Sequence, residues 1–290
     1  MRSIVPVLTV VGVIFALWYA AAIWLNAAWA YDKAKRADVT LSTSALVADT
    51  WAQEKPRLPA PHQVGAEIWK TTGAMVAKGR AFSKRSLIYH SWITLSATLL
   101  GFALGTGLGI LLAVGIVYNT VMDRSVMPWV ITSQTIPILA LAPMIIVVLN
   151  AVGISGLLPK AMISMYLSFF PVVVGMVKGL RSPEVMQLDQ MRTWNASASQ
   201  TFWRLRLPAS MPYLFASLKV GMAASLVGAI VGELPTGAVA GLGARLLAGS
   251  YYGQTIQIWS ALIMAAALAA VLVAIIGVIQ RVTLSRMGMA

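Results

Sequence analysis

The sequence predicts an all-α polytopic membrane protein with about six transmembrane helices, and three observations carry that prediction. The 290 residues are 59% hydrophobic and only 11% charged, with a mean hydropathy of +0.79. A soluble domain of this size carries about a quarter of its residues as charges. The few charges are also clustered: residues 3–31, 86–122, 125–159, 161–177 and 246–280 contain no Asp, Glu, Lys or Arg, and 220–244 contain only Glu233. A helix needs roughly 20 apolar residues to cross the hydrocarbon core of a bilayer, and these intervals meet or approach that length.

The spans are expected at about 4–26, 88–117, 126–149, 156–178, 212–235 and 255–280. The first resembles a signal peptide in its Ala28-Trp29-Ala30 run, yet its apolar stretch exceeds the usual signal length. An uncleaved helix is the expectation. Between the first two spans lies the long polar segment 32–85. Its first half, 32–55, is mixed in charge and has no helical or strand period. Its second half opens at Leu58-Pro59-Ala60-Pro61, and Val64, Ile68, Trp69, Met75 and Val76 share one side at helical spacing. Such an amphipathic helix lies in the membrane interface or packs as a small extramembrane helix on the spans. The domain reading is therefore 1–57 for the first span and polar insertion, 58–87 for the amphipathic segment, 88–281 for the core, and 282–290 for the tail.

The net charge of +13 does not point to nucleic acid, because the basic residues lie between apolar spans where they orient helices. With the N-terminus in the cytoplasm, short loops and tail on that side carry Arg124, Lys178, Arg181, Arg192, Arg204, Arg206, Arg281 and Arg286; the opposite short loops carry Lys160 and Arg245. This bias places both termini in the cytoplasm. The absence of Cys excludes thiolate nucleophiles and Cys-ligated metals, and two histidines, His62 and His90, make no histidine-rich site. No metal site, catalytic constellation or bound cofactor is expected, and the chain is not read as an enzyme. Gly101, Gly105 and Gly109 recur every fourth residue, which permits close helix packing, and Pro137, Pro143 and Pro171 are expected inside helices.

The segment richest in local signals is 178–212. Ser182-Pro183-Glu184 reads as a helix start, Asn195 as a left-handed stop, and Ser197-Ala198-Ser199-Gln200 as a capping box. The second helix is expected to loosen at Leu207-Pro208, with Met211-Pro212 leading into the next span. Val185, Leu188, Met191, Phe202 and Leu205 give the loop an apolar side rimmed by arginines. From physical chemistry alone the loop either docks into a groove on another protein or packs on the span ends.

This loop resembles the coupling loop of binding-protein-dependent ABC importer permeases, whose pattern is E-A-A, three residues, Gly, nine residues, then I-x-L-P. Asp189-Gln190-Met191, Asn195-Ala196 and Leu205-Arg206-Leu207-Pro208 hold that spacing, with Asp in place of Glu, Gln-Met in place of the two alanines and Asn in place of Gly. Other stretches resemble the nitrate/sulfonate/taurine branch: Leu58-Pro59-Ala60-Pro61, His90 with Thr94-Leu95 and Gly101-Phe102, and Val231-Gly232-Glu233 with Gly241-Leu242-Gly243. The 232–237 run and 241–255 are similar to relatives that import pyrimidine-type vitamin precursors.

The resemblance implies a type I ABC importer permease (MetI-like) fold in the bacterial inner membrane, a likeness covering about 58–280. It further implies a homodimer of permeases, two separate ABC ATPase subunits coupled through the 182–208 loop, and a periplasmic or extracellular solute-binding protein. ATP and Mg would sit on the ATPase chain; this sequence contains no Gly-Lys pair and so no phosphate-cradling loop. The alternative class is a secondary transporter or channel not driven by ATP.

An acid in an apolar span is a functional-site hypothesis, so Glu233 is the first candidate for the translocation path or its gate. A watery interfacial position and an ion pair with Arg245 are its alternatives. Gln134 and His90 are further path candidates, and Asn150 can serve as a helix–helix bond.

Overall fold

The computed structural model describes residues 4–235 and 240–289, and every regular element among them is helical. Five helices are long and apolar enough to cross a membrane, with a sixth span if one sharply bent pair is counted together. The chain is a multi-pass membrane protein. It divides into two compact units, residues up to 91 with 244–265, and residues 92–243 with 266 onward.

In the first unit, α1 (Ile4–Arg36) runs ten residues past the expected end of the first span. At 1.5 Å per residue its 33 residues measure about 50 Å, more than the roughly 30 Å hydrocarbon core. The polar segment after it, expected to lack regular structure, contains α2 (Thr43–Ala52), capped by the Ser42 hydroxyl, which accepts from Ala45 N–H. Asn26 fixes this segment to α1. Its Oδ1 accepts from the N–H groups of Arg57 and Leu58 at 2.8 and 3.2 Å, while its Nδ2 donates to the carbonyls of Leu58 and Thr50 at 2.8 and 3.2 Å. Gln53 donates to Asn26 O and Gln63 donates to Gln53 O, extending the network to α3 (Pro61–Thr71).

The amphipathic helix is shorter than its periodicity suggests. It breaks at Thr72, whose hydroxyl bonds back to Ile68 O at 2.6 Å, and resumes only as α4 (Gly73–Ala77). Val64 is buried, but Trp69 and Val76 are exposed, so the apolar stripe is divided between two faces. The hydroxyl–carbonyl bond at Thr72 competes with the helix ladder. The basic residues Lys78, Arg80 and Lys84 lie in the turns and irregular chain beyond α4. Two tryptophans close the unit: Trp18 packs on Trp259 with ring centroids 4.9 Å apart and donates to Pro59 O.

The second unit is built on three helices that approach closely: α5 (Leu87–Tyr118), α8 (Leu157–Leu180) and α11 (Leu207–Gly232). Gly101, Gly105 and Gly109 face Ser164, Ser168 and Val172 of α8, with no room for a Cβ at any of them. Gly228 of α11 abuts the Ser164 backbone in the same way. Small residues replace hydrophobic driving force here, because apolar side chains gain little by leaving lipid for protein. Ser164 Oγ also bonds Ser225 of α11, and Ser225 Oγ donates to Thr98 O of α5 at 2.8 Å. Below this seam Ile116, Val173, Met176 and Leu180 form an apolar cluster that Phe202 and Leu207 complete.

The expected third span, 126–149, is not one helix. α6 (Thr120–Ser133) and α7 (Ile138–Ala151) meet at 101°. Pro137 is the N-cap of α7, with extended backbone at ψ 120°, not an interior residue. A proline disfavours the α conformation at the preceding residue and cannot donate to the turn before it. Pro143 and Pro171 do lie inside helices.

Candidate functional site

The loop between α8 and α11 departs from expectation at its start and follows it at the turn. α9 (Val185–Thr193) starts at Glu184, two residues after the expected Ser182. Gln187 supplies the cap by accepting from Glu184 N–H at 3.0 Å. Ser182 turns back instead, donating to Gly179 O at 2.7 Å and Ala209 O at 3.4 Å. At the other end, Asn195 adopts φ +52° as expected. The N–H of Ala196 reaches Met191 O and that of Asn195 reaches Arg192 O, both at 2.9 Å. This 6→1 and 5→2 pair is the Schellman stop. The Ser197–Gln200 capping box forms as the sequence predicts, with bonds of 2.8 and 3.2 Å, and opens α10 (Ala198–Thr201).

The helix that follows loosens just before Leu207-Pro208 as expected, but it does not end there, and no new span begins at Pro212. One turn, Phe202–Arg206, widens to π geometry, with Leu207 N–H bonding Phe202 O, and the chain continues as α11 through Pro212. Pro208 cannot donate and crowds the carbonyl a turn before it; a single wide turn relieves both problems without ending the helix. Arg206 fastens the base, donating to Leu180 O at 2.7 Å and lying over the Tyr118 ring. Arg181 pairs with Asp123 at 2.9 Å.

Between α9 and the second helical segment lies a groove of about 400 Å³. Gln190, Met191, Ala196 and Leu205 of the expected coupling residues line it, together with Trp194 and Arg204. Asp189 points elsewhere and pairs with Arg192 at 2.9 Å; Asn195 makes the turn; Leu207 packs into the cluster beneath. Trp194 and Trp203 remain 66% and 63% exposed, and Val185 and Met186 are exposed as well. Of the groove residues missed from sequence, Gln187 precedes Met191 and Trp194, the C-cap of α9, follows Gln190, each by one helical turn. Gln200 and Arg204 are related in the same way one helix later.

Glu233 is the C-cap of α11 and is completely buried. Thr94 Oγ1 donates to its carboxylate, at 2.9 and 3.0 Å from the two oxygens, and Oε2 accepts from Gly243 N–H at 2.8 Å. Thr94 Oγ1 in turn accepts from Leu242 N–H at 2.9 Å. The carboxylate thus holds the chain that returns toward α12 (Leu242–Tyr251). Gly241 has φ +129°, and a side chain there would collide with the carboxylate; one at Gly243 would come 2.8 Å from Glu233 Cβ. Glycine at both positions is what lets backbone reach the acid. Lys160, which donates to Ala240 O at 3.4 Å, is the cation whose field reaches Glu233. Residues 236–239, including Thr236 and Gly237 of the run that resembles vitamin-precursor importers, lie outside the described residues.

Arg245, the partner first considered for Glu233, belongs to the other unit, where burial lowers its pKa and Glu67 opposes that shift. Gln134 is half-buried at the α6–α7 bend and donates to Ser133 Oγ at 3.3 Å, not to Glu233. His90, in the first turn of α5, is buried with Nε2 3.0 Å from Lys84 O and its ring edge-on to Tyr89. Asn150 is exposed in the last turn of α7.

The family model for the binding-protein-dependent transport system inner membrane component matches residues 105–289, well over half the chain. The chain belongs to this family. The match takes in α9, α10 and α11 with the groove between them, as well as Glu233 and its glycines. Among curated permeases, the chain is 35% identical over 154 residues to the formylaminopyrimidine transport permease protein ThiX of Halalkalibacterium halodurans. That alignment covers 53% of this chain and 60% of that permease, so it spans about three-fifths of the relative's length. Identity to the riboflavin transport system permease protein RibX of Chloroflexus aurantiacus is 28% over 224 residues, covering 77% of this chain and 78% of the relative. With the putative aliphatic sulfonates transport permease protein SsuC of Bacillus subtilis it is 24% over 178 residues, 61% and 63% of the two chains.

Proposed function

We propose that this chain is the membrane-spanning subunit of an ATP-driven importer in the bacterial inner membrane, with both termini cytoplasmic. Two copies form the path for a small polar solute, an external binding protein delivers it, and separate ATPase subunits drive the cycle. The groove of the 182–208 loop carries this reading. A rigidly capped helix pair presents Met191, Trp194 and Leu205 around a concave surface, with Trp203 exposed nearby. Buried aromatic anchors ringed by polar groups are the usual energetic centre of a docking site. The wide π turn and the Arg206 clasp tie the groove directly to α11 and α8, so movement of a docked ATPase passes into the spans as a rigid-body displacement.

Co-purification tests the coupling. A tagged wild-type chain brings down an ATPase subunit, while Trp194→Ala or Leu205→Asp loses it with membrane insertion unchanged. Unaltered ATPase recovery in both variants, or vesicle uptake that follows an ion gradient and ignores ATP, overturns the reading.

For the solute, the two relatives named for formylaminopyrimidine and riboflavin transport support a nitrogen heterocycle over a simple inorganic anion. Calorimetry of the cognate binding protein against a pyrimidine and against nitrate distinguishes the two.

A further inference from the structure

Lys219 is a cation in the middle of α11, and no ion pair among the described residues involves it. A lysine within a span is costly unless an anion, backbone carbonyls or the interface receives it. It lies against α13 (Thr255–Arg286) at Gly277, where a Cβ would be in ordinary contact with it, 3.6 Å from Lys219 Cε and 3.8 Å from Nζ. Arg281 follows one turn later and also has no ion pair among the described residues. No Asp or Glu occurs anywhere after Glu233. The two cations border a groove of about 800 Å³ along α13, with Gln280 and Ser285 as further hydrogen-bonding groups and no carboxylate.

The groove is graded along its length. Val273, Ala274 and Val278 line the end inside the charge-free stretch 246–280, Lys219 reaches α13 at Gly277, and Gln280, Arg281 and Ser285 line the other end beside Leu284. From Val273 to Ser285 the helix rises about 18 Å. α13 is held to α11 beside the groove by Leu272 and Ile276 packing on Phe215 and Met222.

We propose that this groove binds an acidic phospholipid, its phosphate between Lys219 and Arg281 and an acyl chain along Val273, Ala274 and Val278. A basic pocket between spans, at the depth where apolar sequence gives way to charge, suits an anionic headgroup. The apolar wall decides in favour of lipid over a small soluble anion, which needs the cations but not the wall. The site is separate from the ATPase groove and stands without the coupling assignment.

Native mass spectrometry of the full-length chain, with phosphatidylglycerol or phosphatidylcholine of the same acyl chains, tests it. The wild type retains phosphatidylglycerol at least about tenfold better than phosphatidylcholine. Lys219→Gln and Arg281→Gln each weaken retention about fivefold, the increment of one interfacial basic residue. Lys219→Arg restores it, and Arg286→Gln, at the residue just past the groove lining, leaves it unchanged. Equal retention of the two lipids by the wild type overturns the proposal without recourse to any variant. So does unchanged retention in the two Gln variants, displacement of lipid by millimolar inorganic phosphate, or a dimer whose second copy fills the groove and excludes lipid.

Discussion

Asn26 in the first unit and Glu233 in the second do the same mechanical task with different chemistry. Each is essentially inaccessible, at 1% and 0% exposure, and each ties a returning segment of chain to a long helix. The amide of Asn26 meets backbone that offers both N–H and C=O groups, and it satisfies two of each. Glu233 only accepts. It meets one N–H directly and reaches a second through Thr94, and Gly241 and Gly243 keep the approach open. A neutral hub therefore suits a loop that presents mixed polarity, whereas a carboxylate suits one that turns its donors inward. The acid also leaves a charge at its centre, with Lys160 nearby; the amide network carries charge only at its rim, where Asp49 accepts from Gln53 and pairs with Lys33 at 2.9 Å.

That contrast orders the expected effects of mutation. Glu233→Ala has the largest, about 3–5 kcal/mol, because it opens a cavity and removes the carboxylate that accepts from the buried Gly243 N–H and the Thr94 hydroxyl. Denaturant unfolding of the detergent-purified protein measures it. Asn26→Ala costs about 2–3 kcal/mol by the same assay, since more bonds are lost but none of the orphaned groups faces a charge. If the Asn26 variant proves the less stable of the two, the number of bonds outweighs the charge and the comparison fails.

Glu233→Gln sharpens the point. It keeps the volume and one acceptor but replaces a carboxylate oxygen with an NH2 group that cannot accept, and we expect a loss of about 1–2 kcal/mol. Smallest is the rim. The hydrogen bond from Lys33 holds the Asp49 carboxyl below its ordinary value of 3.8. Its stabilisation is present above that value and is lost as pH falls through the lowered one. Solvent screening keeps the effect under about 0.5 kcal/mol, and Asp49→Asn should remove the corresponding acid-side slope from a stability–pH profile.

How far each feature was legible follows from where its cause lies. Asn195 and the Ser197–Gln200 box were readable because left-handed stops and capping boxes are short-range chemistry, closed within six residues. The small-residue face Gly101-Gly105-Gly109 was readable as a period, though its partner α8 was not. α2 escaped notice because a short helix with mixed charge has no apolar stripe; it is held by Asn26, 24 positions before the Thr50 carbonyl it bonds. The amphipathic stripe through Val76 misled because it ran across Thr72, whose hydroxyl bond to Ile68 O ends the helix without any proline or glycine signal. The third span misled for the opposite reason. Pro137 was in view, but the hydropathy of 126–149 is the same whether the helices on either side are collinear or bent by 101°.

Glu233 marks the boundary between the two kinds of information. Composition and charge spacing determined that this is a helical membrane protein, because every residue in lipid must satisfy its backbone internally and the apolar intervals allow little else. They also singled out Glu233 as the one acid among those intervals. Only the tertiary structure decided what the acid touches. Its donors come from Thr94 and Gly243, and the first of these is 139 positions away in sequence. No local period encodes that meeting; it exists because the close packing of α5, α8 and α11 brings the end of one span to the side of another.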